Sequence, residues 1–116
     1  MRGDSTSKRK DIRAIGNLLG NSAAHYALYG EEQREIGTYT SQAEEIAGKR
    51  SWDKMDLEDI KKIAATRARS EIRRRMPLLG LDERDEDRYA EKVEEFIGSF
   101  MSKIVKAPSK AKQGHP

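Results

Sequence analysis

The stretch RDEDRYAEKVEEFIGSFMSKIVK, residues 84–106, decides how this chain folds. Tyr89, Val93, Phe96, Ile97, Phe100, Met101 and Ile104 recur at steps of three and four, which gathers them into one broad apolar face of an α-helix. Acidic residues fill its first turns and lysines its last, the order the helix dipole favours. A helix with such a face gains its stability by packing against other helices. The remaining chain supplies three candidates.

The segment before it predicts a helix with Asp56 as N-cap and Glu58 and Asp59 in the first turn. Its arginines crowd the C-terminal end, and Pro77 forces a stop near Arg75 or Met76. Met76, Leu78, Leu79 and Leu81 are expected to form a buried corner. A first helix runs from about Ser7 to Tyr29, with Ile12, Ile15, Leu19, Tyr26 and Tyr29 on one stripe and Gly30 placed to stop it. Between Glu31 and Gly48, Ile36, Tyr39, Ala43, Ile46 and Ala47 share a face that Gly37 and two threonines interrupt. Ser41 followed by Glu44 has the form of a capping box, so the firm part of this second helix is expected to begin there, and Gly48 to close it. No stretch alternates like a strand.

Short links between amphipathic helices favour antiparallel neighbours, so the expected fold is all-α, a four-helix up-down bundle. At 116 residues it forms a single helical domain over 7–106, with a flexible N-terminus at 1–6 and a flexible tail at 107–116, and basic residues gathered toward both ends. Apolar residues make up 35% of the chain and charged residues 37%, which sets a thin core under an ionic surface. There is no cysteine, so disulfides and thiolate metal sites are excluded, and a reducing cytoplasmic setting is the natural expectation. No run reaches the roughly 18 apolar residues of a membrane span, and MRGDSTSKRKD lacks the apolar region of a signal peptide.

The net charge of +3 conceals a block pattern. Residues 1–30 carry +3, 31–59 carry −5, 60–80 carry +6, 81–98 carry −5 and 99–116 carry +4. Alternating blocks can select the pairing of helices, even though exposed pairs add only about 0.2–1 kcal/mol each. The +6 block contains TRARSEIRRR, residues 66–75, with five arginines in ten positions. At about 100° per residue, Lys62, Arg69 and Arg73 fall within roughly 40° of one another, away from Ile60, Ile63 and Ala64. Arg67 and Arg74 share the side of Ile60 and Ile63, and Glu71 stands four residues from both Arg67 and Arg75, the spacing of an ion-pair ladder. Some of the arginines are therefore structural, while Lys62, Arg69 and Arg73 are candidates for binding an anion.

Catalytic signals are sparse. His25 sits beside Ala23, Ala24 and Tyr26 on a helix and reads as structural, and His115 lies in the tail. No serine occupies a nucleophile elbow and no glycine-rich loop matches a phosphate cradle. DERDED, residues 82–87, lacks the central glycine and closing glutamate of a calcium loop, and supplies anionic charge to a helix start instead. Gly16, Gly20, Ala23 and Ala27 line one side of the first helix, as a close helix contact within the chain or a dimer seam. Trp52 is the one aromatic in a connection, where RNA recognition would ask for several. The connection before residues 57–75 is too long for a helix-turn-helix.

These readings converge on a small non-enzymatic binding protein, without cofactor, metal or membrane, that contacts RNA or DNA phosphates through Lys62, Arg69 and Arg73. Lys8, Arg9, Lys10, Lys103, Lys106, Lys110 and Lys112 would assist from the ends. The alternative is a protein–protein interaction module, a homodimer or a subunit of a larger assembly, whose charge blocks serve helix pairing only.

Overall fold

The apolar face of residues 89–104 is in the core. Val93, Ile97, Phe100 and Met101 are buried, and Tyr89, Phe96 and Ile104 pack at its margin. The helix that carries this face, Glu86–Lys106, is the last of four in a computed structural model that describes residues 2–30 and 34–106. The others are α1 (Arg2–Tyr29), α2 (Arg34–Ala47) and α3 (Lys54–Arg75), which makes the last one α4. No strand occurs among the described residues.

The helix ends show which local signals carried through. Gly30, at φ 96°, ends α1 and donates its N–H to the Tyr26 carbonyl at 3.0 Å. At the other end α1 begins at Arg2 rather than Ser7, so residues 2–6 extend it. The apolar stripe marks where a helix is covered, not where it starts. The expected tail at 107–116 lies outside the described residues.

Helix α2 corrects one expectation. It is continuous from Arg34, and Ser41 lies in mid-helix rather than at a cap. Thr40 turns its hydroxyl onto the Ile36 carbonyl at 2.8 Å, which removes its competition with the helix backbone. Burial of Ile36 and Ala43 on one face then outweighs the weak propensity of Gly37.

Helix α3 corrects a second. Its N-cap is Asp53, not Asp56: the Asp53 carboxylate accepts from the Asp56 N–H at 2.8 Å, and the Asp56 carboxylate accepts from the Asp53 N–H at 3.1 Å. Trp52 precedes this cap and closes the connection from α2, its indole N–H donating to the Ala47 carbonyl at 2.9 Å. At the far end Pro77 opens a 3-10 turn, Pro77–Leu79, and Gly80 reverses the chain at φ 71°. Met76 is buried and Leu81 half-buried, but Leu78 is 79% and Leu79 43% exposed. The expected corner is therefore buried at its two ends only. The tight turn at Pro77 carries its middle residues away from the core.

The four helices form an up-down bundle centred on α1, which packs against all three others. Helix α4 also packs against α3, and α2 rests chiefly on α1. Helices α1 and α3 run parallel, as Lys8–Asp56, Gly16–Ile63, Gly20–Arg67 and Tyr29–Arg75 follow one another in step. In an up-down bundle that pair lies on a diagonal. Here the missing side chains of Gly16 and Gly20 let the diagonal close: a Cβ at Gly16 would stand 2.5 Å from Ile63 Cγ2, and one at Gly20 2.7 Å from the Ala64 carbonyl oxygen. Gly16, Gly20, Ala23 and Ala27 are all buried, and Gly16 and Gly20 lie against Ile60, Ile63, Ala64 and Arg67 of α3.

Candidate nucleic-acid interface

The charges of α3 divide by their angle around the helix. Glu71 is a buried carboxylate, and three arginines converge on it. Arg74 donates to it at 2.8 Å, Arg75 at 3.3 Å, and the Arg67 guanidinium stands 3.8 Å away. Arg75 also donates to the Tyr29 hydroxyl at 3.4 Å, and Arg67 Nε to Asn21 Oδ1 at 3.0 Å, so this cluster bolts α3 to α1. The hydrogen bond from Arg74, then that from Arg75, outweigh the effect of burial and hold the Glu71 carboxyl below its ordinary value. The ladder Arg67–Glu71–Arg75 expected from spacing is therefore present, and Arg74 joins it.

A second internal pair ties the starts of the same helices. Lys8 Nζ lies 2.7 Å from the nearly buried Asp56 carboxylate. Burial raises the Asp56 pKa, but the Lys8 hydrogen bond and the Asp53 backbone N–H together pull it below the ordinary range. Arg50, in the connection between α2 and α3, bonds Asp11 at 2.8 Å. Lys8, expected to assist from the N-terminal end, is held by a carboxylate instead.

Lys62, Arg69 and Arg73 are all exposed, on the side of α3 turned from Ile60 and Ala64. Among the described residues no carboxylate pairs with Lys62 or Arg69; the ion pairs of α3 involve Asp56, Glu71 and the other arginines. Arg73 differs from its two neighbours. Its Nη2 lies 3.0 Å and its Nε 3.1 Å from Glu86 at the start of α4, so it is a paired cation. That partner was hidden in sequence because thirteen residues and a turn separate the two.

Beside Lys62 the surface sinks into an open depression where α1 and α3 meet, lined by Asn17, Lys62, Ile63, Thr66, Arg67 and Ser70. Asn17, Thr66 and Ser70 were not singled out from sequence. Thr66 and Ser70 carry a local signal, since they lie on the Lys62–Arg69–Arg73 side at steps of four. Asn17 carries none, because only packing brings it there.

The remaining polar candidates have structural partners. His25 packs against the rings of Tyr29 and Tyr39, with centroids 5.5 and 5.9 Å away. Trp52 is half-buried under Arg50, whose guanidinium carbon lies 5.9 Å from the ring. Tyr26 stacks on Phe96 at 5.2 Å. Three of the five carboxylates in residues 82–87 serve the chain itself: Asp82 accepts from the Arg84 backbone and side chain, Asp85 pairs with Arg88, and Glu86 holds Arg73. No group of three or more metal-ligating side chains occurs among the described residues. No described helix is long and apolar enough to cross a membrane. Compared with protein-family models, with curated proteins and with solved structures, the chain finds no match in any of the three.

Proposed function

We propose that this protein binds the phosphate backbone of nucleic acid, RNA or DNA, through the exposed side of α3. One observation carries the reading: Lys62 and Arg69 stand exposed without a carboxylate partner among the described residues, while Arg67, Arg74 and Arg75 one face away are engaged by Glu71. A chain that uses several arginines structurally leaves Lys62 and Arg69 on one line with no ion pair among the described residues. Arg73 extends that line. Its pair with Glu86 is partly exposed and worth only about 0.2–1 kcal/mol, little enough for a phosphate to displace. Backbone contacts of this kind position a protein on nucleic acid without reading its sequence.

Fluorescence anisotropy with duplex DNA, RNA and a polyanion control across a salt series tests it. Phosphate binding releases counterions, so affinity falls steeply with salt. Arg69→Ala with Arg73→Ala should weaken binding to all sequences alike and flatten the log-affinity-versus-log-salt slope by up to about two. Equal binding by the double variant and the parent refutes the proposal. A second reading, a protein–protein module whose charges serve helix pairing, is favoured by Lys8–Asp56 and Arg73–Glu86, each of which joins a cation of a basic block to a carboxylate of an acidic one. That reading takes first place if the double variant is silent.

A further inference from the structure

We infer that the depression between α1 and α3 seats a single phosphate group, held by Lys62, Arg67, Thr66, Ser70 and Asn17. The inference concerns the class of group bound and a fixed position for it; the seat shares Lys62 with the backbone-binding line of Lys62, Arg69 and Arg73, and its other four residues are not part of that line. Five of the six lining residues offer a side-chain donor, two of them cationic, and none is a carboxylate. In a chain where 20 residues are Asp or Glu, a depression whose polar lining includes two cations and no carboxylate, with Ile63 its one apolar member, favours an oxyanion over a cation.

The close approach of the helices builds it. Gly16 admits Ile63 against the α1 backbone, and that contact brings the neighbouring Asn17 to the rim opposite Lys62 and Thr66. The glycines cost α1 helical stability, and the seat is one result of the contact they permit. Arg67 is held in place before any ligand arrives, by Asn21 Oδ1 at 3.0 Å and by Glu71. A positioned guanidinium loses less conformational freedom on binding than a free one.

The hydroxyls supply an independent observation. Ser and Thr inside helices commonly bond the carbonyl one turn back. Ser22 does so with Leu18 at 3.0 Å, and Thr40 with Ile36 at 2.8 Å. Thr66 and Ser70 make no such bond among the described residues, so both hydroxyls remain available to an oxygen ligand in the depression.

A phosphate ester fits this donor set from two sources, a phosphodiester of a nucleic-acid backbone or the terminal phosphate of a nucleotide or 5′-end. The test titrates the full chain with inorganic phosphate at constant ionic strength in chloride, following amide resonances by NMR. Saturable shifts confined to Asn17 and residues 62–70 are expected. Thr66→Val with Ser70→Ala should weaken phosphate binding by threefold or more, and Asn17→Ala should do the same from the other helix should the first variant fail to fold. Arg69→Ala, outside the depression, should leave phosphate binding unchanged while lowering affinity for duplex, so the seat and the backbone-binding line fail separately. Displacement of phosphate by an unphosphorylated duplex identifies the phosphodiester source; displacement only by a 5′-phosphorylated strand or a nucleoside monophosphate identifies the terminal one. Shifts that do not saturate, that spread evenly over all exposed cations, or that persist unchanged in both variants overturn the inference.

Discussion

Gly20→Ala is the most demanding test of the helix arrangement, because helix propensity and packing predict opposite signs. In an isolated helix the exchange gains up to about 1 kcal/mol. In this fold the new Cβ would stand 2.6 Å from Arg67 Cβ and 2.7 Å from the Ala64 carbonyl oxygen. Neither neighbour is the end of a flexible side chain, so the α1–α3 backbones must separate. Overpacking of this kind costs about 1–3 kcal/mol, and more where backbone must move. Since backbone must move here, the upper part of that range applies, about 2–3 kcal/mol. Subtracting a propensity gain of about 1 kcal/mol leaves a net loss of about 1–2 kcal/mol, or a fall in Tm of roughly 4–8 °C for a domain of this length. Gly98→Ala is the matched control, since Gly98 is exposed in mid-α4 and a Cβ there meets nothing within 4 Å. That variant should gain about 0.5–1 kcal/mol. Thermal and urea denaturation followed by circular dichroism reads both signs. If Gly20→Ala is stabilised as much as Gly98→Ala, the two helices do not meet at Gly20, and the seat derived from their contact loses its basis.

Phe100, 4% exposed, sits in the core, so Phe100→Ala should cost about 3–5 kcal/mol in chemical denaturation; a loss under about 1 kcal/mol would remove α4 from the core. Asp56 and Glu71 both titrate lower in the folded chain than their ordinary 3.8 and 4.5, so the stability they contribute is present above those values and is lost as pH falls through their folded values. Denaturation midpoints should decline below about pH 4.5 in the parent and less steeply in Asp56→Asn and Glu71→Gln, whereas equal slopes would show that neither carboxylate is held by its partners. Glu86→Gln frees Arg73 from its only ion pair among the described residues, and should raise affinity for nucleic acid and steepen the salt slope by up to about one. An unchanged slope would place Arg73 outside the bound face.

Periodicity within a single helix is a local property, and what depended on it was legible. The α4 face, the stop at Gly30, the break at Pro77 and the Arg67–Glu71–Arg75 ladder all follow from rise and turn per residue and from the backbone limits of two residue types. Local capping chemistry was less decisive. Ser41 and Glu44 have the form of a helix start, yet α2 runs through them because burial of Ile36 favours one longer helix. Asp56 was the expected cap, but its reciprocal bonds with Asp53 put Asp53 outside and Asp56 inside α3, where Lys8 of α1 completes the pairing. The exposure of Leu78 and Leu79 depended on how a tight turn leaves the core. The functional surface belongs to this second class. Lys62 and Arg69 share a side by helical arithmetic, but whether a carboxylate of another helix would reach them was a matter of packing. It reached Arg73 through Glu86 and left the other two. Asn17 and Thr66 are 49 positions apart in the chain and meet at one depression because two glycines allow two backbones to touch.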